Sequence, residues 1–239
     1  MRATSFEFRY RFWFIGAIFW IGFSLYPVDP VAVVNVLASW ISGHSGLSNH
    51  EAARAALWFA AAIGAAAALL RTWAAGFLQS HVVHDMALHS DRLVADGPYR
   101  YLRNPLYLGT IMMAMGMGLV ASRVGFVFIV VAMVVFTLRL MGREEAELTA
   151  SQGESYLRYR DTVPKLLPAL SPRVPSSGRK PQWIQGFVGE IFMWGFAASM
   201  AVFAVTLNQG YLWKGVATAL VLYAVSAMVL RGQRAKSVG

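Results

Sequence analysis

Two short polar stretches hold most of the residues able to do chemistry. The first, "DGPYRYLRNPLYLG" (residues 96–109), sets Arg103 and Asn104 directly before Pro105. Asp-Gly-Pro forces a turn, and proline suits the first residue of a helix, where an N–H is not needed. Asn104 is then expected as the N-cap, its side chain accepting a first-turn N–H. A helix start offers free N–H groups and a partial positive charge, so with Arg103 beside it this turn suits a carboxylate or phosphate. The same residues also suit a capped transmembrane helix, with Tyr99, Tyr101 and Tyr107 in an interfacial aromatic belt. The second stretch, "REEAELTASQGESYLRYRDTVPKLLP" (residues 143–168), opens with Glu144, Glu145 and Glu147. Read as one amphipathic helix, it puts Leu148, Tyr156 and Tyr159 on one side, and its charges form either a solvated face or a wall for a cationic ligand.

The elements around these stretches are membrane spans. Of the 239 residues, 57% are hydrophobic and only 14% charged, and mean hydropathy is +0.50. A soluble domain carries about a quarter charged residues, so a soluble enzyme, a disordered tail and a secreted disulfide module are all excluded. The absence of cysteine removes disulfides, thiolate metal ligands and a cysteine nucleophile. Six segments are long enough to cross a bilayer: residues 10–28, 53–78, 105–122, 124–140, 184–207 and 211–230. The expected fold is an all-α polytopic bundle of about six spans. A helical segment after span four closes over the 96–109 turn. A shorter apolar stretch, residues 31–41, is expected to lie in the interface.

Most of the 21 basic residues fall on one side of this layout, against Arg54, Arg123 and Lys214 on the other. The bias predicts that both termini and the two long polar segments, residues 79–104 and 141–183, are cytoplasmic. The net charge of +9 then belongs to the membrane surface instead of nucleic acid. Three regions are expected: 1–52 with the first span and an external interfacial helix, 53–170 as the core, and 183–239 with two further spans. The Pro/Ser/Gly-rich residues 171–182 separate the last two spans from the rest.

Taken together, "GPYRYLRNPLYLG" followed by "EEAELTASQGESYLRYRDTVPKLLP" resembles the isoprenylcysteine carboxyl methyltransferase and phospholipid methyltransferase family. The resemblance covers roughly residues 55–170. It rests on Gly97, Tyr99, Arg103, Pro105, Tyr107 and Gly109, then on Glu144, Glu145, Leu148, Gly153, Tyr156, Tyr159, Val163, Pro164 and Pro168. Asn104 stands where the family usually has histidine, which suits a capping and hydrogen-bonding role and not proton transfer. The resemblance implies S-adenosylmethionine as cofactor and a lipid-like acceptor, a prenylcysteine carboxylate or similar, reached from the bilayer. It implies Arg103, Glu144 and Glu145 as catalytic residues. It places Gly97, Tyr99, Arg103, Asn104, Pro105, Tyr107, Gly109, Glu144, Glu145, Tyr156 and Tyr159 around the cofactor. Two rivals are a sterol-reductase-like membrane enzyme using NADPH and a non-catalytic membrane scaffold. The Glu144–Glu145 pair argues against a 2′-phosphate site.

Other polar residues have ordinary readings. His81, His84, Asp85 and His89 do not share one helical face at one depth, so no metal site is expected. Glu190 and Arg71, each inside an apolar span, are expected to reach for the interface, although an intramembrane carboxylate also marks function. The run "FAAAIGAAAALL" (residues 59–70) suits close helix packing.

Overall fold

The computed structural model describes residues 2–78 and 95–237, with side chains to residue 225. His81, His84, Asp85 and His89 lie outside the described residues. In chain order the helices are α1 (Ser5–Arg9), α2 (Arg11–Phe23), α3 (Val33–Ser45) and α4 (Asn49–Phe77). After a 3-10 turn (Gly97–Arg100) come α5 (Pro105–Gly118), α6 (Arg123–Gln152) and α7 (Glu154–Thr162). The chain ends in α8 (Trp183–Gly189), α9 (Ile191–Thr206) and α10 (Gln209–Ser237). No strand occurs among the described residues.

The expected spans are helical, but they differ in length. Helices α4 and α6 are long and apolar enough to cross a membrane, and α8 with α9 makes a third candidate bent by 66° at Glu190. Helix α5 has 14 residues, about 21 Å at 1.5 Å per residue, short of the roughly 30 Å hydrocarbon core. Helix α6 overshoots its apolar part. It runs unbroken through Glu144 and Glu145 to Gln152, so both carboxylates sit on a rigid extension of a spanning helix.

The single amphipathic helix expected over residues 143–168 is instead broken. Gly153, at φ +55°, ends α6 and redirects the chain into α7, a left-handed conformation that glycine adopts without steric cost. Tyr156 and Tyr159 are thereby turned inward and buried with Val163.

Small residues on α4 let its neighbours approach closely. A Cβ on Gly116 of α5 would lie 3.0 Å from the Ala60 carbonyl, and one on Gly64 would lie 3.6 Å from Ala197 of α9. Ala60, Ala67 and Ala68 are fully buried along this seam. Without water to drive association, such contact is what holds apolar helices together. Helix α3 packs Val34 and Ala38 inward. It is tied to the α5–α6 turn by backbone bonds from Val33 to Ala121 and from Val34 to Leu119.

Residues 169–182 do not merely separate the last helices from the rest. Ala169 N–H donates to the Tyr101 carbonyl, Arg173 N–H to that of Arg100, and Gln182 N–H to that of Gly76. Arg100 Nε returns a bond to the Val174 carbonyl, and Ser176 and Ser177 hold the Asp96 carboxylate. Burial alone would raise the Asp96 pKa, but these donors outweigh it and hold the carboxyl below its ordinary range. The stretch is a strap laid across the 96–101 turn.

Candidate active site

A cavity of about 620 Å³ opens between α2, the start of α5, the end of α6, α7 and the α8–α9 break. Its lining includes Tyr99, Arg103, Asn104, Pro105, Tyr107, Glu144, Glu145, Tyr156 and Tyr159. Nine of the eleven sequence-derived site residues therefore share one space. Gly97 and Gly109 do not line it. A Cβ on Gly97, at φ +58°, would strike the Phe77 ring at 2.2 Å, and one on Gly109 would strike the Arg71 stem at 2.4 Å. Both glycines make room for neighbours.

Pro105 occupies the first turn of α5, as its sequence position demands. Asn104 precedes it but makes no side-chain cap. Its backbone, at φ −125° and ψ 57°, departs from the extended geometry that aims a cap inward. The carboxamide Nδ2 donates instead to the Lys165 carbonyl at 3.0 Å, with Glu145 Oε1 at 3.5 Å. Asn104 thus clamps the returning tail. The first-turn N–H groups of Leu106 and Tyr107 precede any intrahelical acceptor, and both residues line the cavity.

Arg103 is held on two sides. Its N–H donates to the Pro164 carbonyl at 2.9 Å, and Nη1 donates to the Arg160 carbonyl at 3.0 Å. Nη2 lies 3.4 Å from Glu145 Oε1, while Lys165 Nζ approaches Oε2 of the same carboxylate at 3.2 Å. Arg103 Nε is buried and lacks a protein acceptor among the described residues. Glu144 is differently placed, accepting a 2.6 Å bond from the Tyr107 hydroxyl. Glu147 leaves the site and meets Arg143 at 2.7 Å along its own helix. Tyr159 donates to the Tyr99 carbonyl at 2.8 Å. Burial pushes the Tyr156 hydroxyl up to about 12 and raises Tyr159 further, so both stay neutral donors at ordinary pH.

The expectation that Arg71 and Glu190 each reach for the interface is overturned. They meet each other at the cavity wall: Nε donates to Oε2 at 2.6 Å and Nη2 to Oε1 at 2.9 Å. Nη1 adds bonds to the Leu106 carbonyl and Thr110 Oγ1, and Glu190 is fully buried. The missed signal was two opposite charges in separate apolar spans at the same expected depth, a pattern that marks partners. Arg9, Tyr10 and Arg11 also line the cavity, and nothing in their sequence context beyond positive charge announced it.

The described geometry can hold an extended polar ligand with charges of both signs next to an apolar chamber. Residues 55–152 match the family model described as Phospholipid methyltransferase. Over 98 residues the chain is 34% identical to the Protein-S-isoprenylcysteine O-methyltransferase of Schizosaccharomyces pombe, covering 40% of this chain and 41% of that protein. Both findings support the isoprenylcysteine carboxyl methyltransferase and phospholipid methyltransferase family for this segment. The chain thus spans less than half the length of the curated relative it matches. No solved structure matches significantly.

Proposed function

We propose that this protein is an integral membrane methyltransferase that uses S-adenosylmethionine and acts on a lipid-like acceptor, with a prenylcysteine carboxylate as the leading class. The observation that carries the reading is the single cavity whose wall joins Arg103, with a buried Nε that lacks a protein acceptor among the described residues, to the start of α5 at Leu106 and Tyr107. An arginine next to a helix start suits the cofactor's carboxylate. On the same lining, Glu144 suits its cationic groups, and Tyr156 and Tyr159 offer neutral aromatic walls.

Bound there, S-adenosylmethionine would supply an electrophilic methyl group on a positively charged sulfur. The chain's own contribution is to bind, orient and exclude water. Helix α7 and the 163–168 tail are tied over the turn through Arg103, Asn104 and Tyr159. Positioning two reactants in a dry pocket supplies much of the rate for such a displacement. In the same reading all six helical segments lie within the membrane, both termini and the site face the cytoplasm, and 53–170 is the catalytic core flanked by 1–52 and 183–239.

Thermal shift and calorimetry on the detergent-purified chain test this reading. S-adenosylmethionine should stabilise the fold by mass action and NADPH should not. Glu144→Gln should lower affinity for S-adenosylmethionine about tenfold, more than for S-adenosylhomocysteine, since only the former carries charge on sulfur. Glu147→Gln, whose carboxylate faces Arg143, should change neither. Stabilisation by NADPH alone, or parent-like binding by Glu144→Gln and Glu145→Gln together, overturns the reading.

A further inference from the structure

The cavity's charges do not cancel. Four arginines, Arg9, Arg11, Arg71 and Arg103, face three glutamates, Glu144, Glu145 and Glu190. Arg71 is consumed by Glu190, and Arg103 shares Glu145 with Lys165. Arg9 and Arg11 remain. Among the described residues neither makes an ion pair. Arg9 is exposed, its guanidinium 5.8 Å from the Tyr10 ring centroid. Arg11 is half-buried, donating to the Phe8 carbonyl at 3.2 Å with its guanidinium 4.7 Å from the Phe8 ring centroid. Glu144, which lines the same cavity as Arg11, is already bonded to Tyr107.

We propose that Arg9 and Arg11 form an anion-binding subsite at the rim of the cavity, selecting an acceptor whose hydrophobic body ends in a carboxylate. This rests on the methyltransferase reading above. S-adenosylmethionine brings two cationic groups and one carboxylate, so with it in place the cavity's positive surplus grows. An anionic acceptor relieves that surplus, and a cationic amine head group increases it. The apolar wall beside the arginines fits the hydrophobic body. Phe12 of α2 stacks on Tyr223 of α10 at 5.0 Å, and Phe192 of α9 meets the same ring edge-on at 5.0 Å. These residues and both arginines lie outside the 55–152 segment, so the subsite belongs to the parts of this chain that the family match does not cover.

Two probes test it on the full chain in nanodiscs: S-farnesylated N-acetylcysteine and its primary carboxamide, which differ in one charge. The parent should bind the carboxylate more tightly. The variant Arg9→Gln with Arg11→Gln should lose about tenfold or more of that affinity, as a charged hydrogen-bond partner is removed, and bind the carboxamide as the parent does. Arg9→Gln alone removes no hydrogen bond among the described residues and keeps the test readable if the double variant folds poorly. Arg11→Lys should retain most of the preference. Equal losses for both probes, or no loss, overturn the proposal. It is also overturned if the probes bind normally and the variants lose only stabilisation by phosphatidylglycerol over phosphatidylcholine, because the arginines then serve lipid phosphates. The parent's S-adenosylmethionine affinity is read separately. Its absence would sink the methyltransferase reading while leaving the carboxylate preference measurable.

Discussion

Two arginine–glutamate pairs border the same cavity and are built to opposite specifications. Arg71 and Glu190 meet through two bonds of 2.6 and 2.9 Å, and the arginine's remaining reach is taken by Leu106 and Thr110. Arg103 and Glu145 stand 3.4 Å apart, the carboxylate is shared with Lys165, and Arg103 Nε is left over among the described residues. A saturated pair has nothing left to offer a ligand and serves as a brace between α4, α5 and the α8–α9 break. A loosely satisfied pair keeps capacity in reserve, and that reserve is what a binding site needs.

The largest expected effect tests the brace. Glu190→Ala leaves a buried guanidinium uncompensated and should cost about 3–5 kcal/mol of stability. Glu145→Ala, whose partners Arg103 and Asn104 keep other acceptors, should cost about 1–2 kcal/mol and mainly weaken ligand binding. Thermal unfolding of both variants beside the parent checks this. Equal losses, or a larger one for Glu145→Ala, would erase the distinction between the pairs.

An intermediate effect concerns Asn104. Asn104→Leu removes the donor to the Lys165 carbonyl, a loss of about 1–3 kcal/mol. Amide hydrogen exchange should therefore quicken across residues 163–168 and be unchanged in the first turn of α5. Asn104→His retains a ring N–H and should hold the tail. Quickened exchange confined to the start of α5 would restore the capping role.

The smallest effect belongs to a third pair, at the outer edge of the bundle. Arg139 donates to both Glu7 oxygens at 2.9 and 2.7 Å. With Thr4 it lowers the Glu7 pKa from 4.5 to about 2. A depressed carboxylate stabilises the fold above its unfolded pKa, so the contribution is complete above about pH 4.5 and fades as pH falls toward 2. Solvent screening limits it to about 1 kcal/mol or less. Parent and Glu7→Gln should converge in melting temperature over that window; a constant gap would show that Glu7 acts through something other than its charge.

The sequence announced the helices and the contents of the site better than the wiring between them. Apolar length found helices in all six segments, of which α4 and α6 are long and apolar enough to cross a membrane and α8 with α9 makes a third candidate. The 96–109 and 143–168 motifs named nine residues that line one cavity. Wiring depends on side-chain direction across helices distant in sequence, which local pattern does not carry. Asn104 turned to Lys165 because its own backbone left the capping geometry. Arg71 and Glu190, 119 positions apart, found each other only through the α4–α9 packing. Gly153 carries part of the family resemblance, but its positive φ is what splits α6 from α7.

The strap over the 96–101 turn has a consequence for how freely this chain can vary. Its crossings at Tyr101, Arg100 and Gly76 use main-chain groups at both ends, which any residue except a proline donor supplies equally. Spelling can therefore drift between these crossings, while deletion of even one residue would slip the register against the turn. The exception is the Asp96 foothold, where the side-chain hydroxyls of Ser176 and Ser177 bond to the carboxylate. The segment behaves as a measured length of cord with one knot along it.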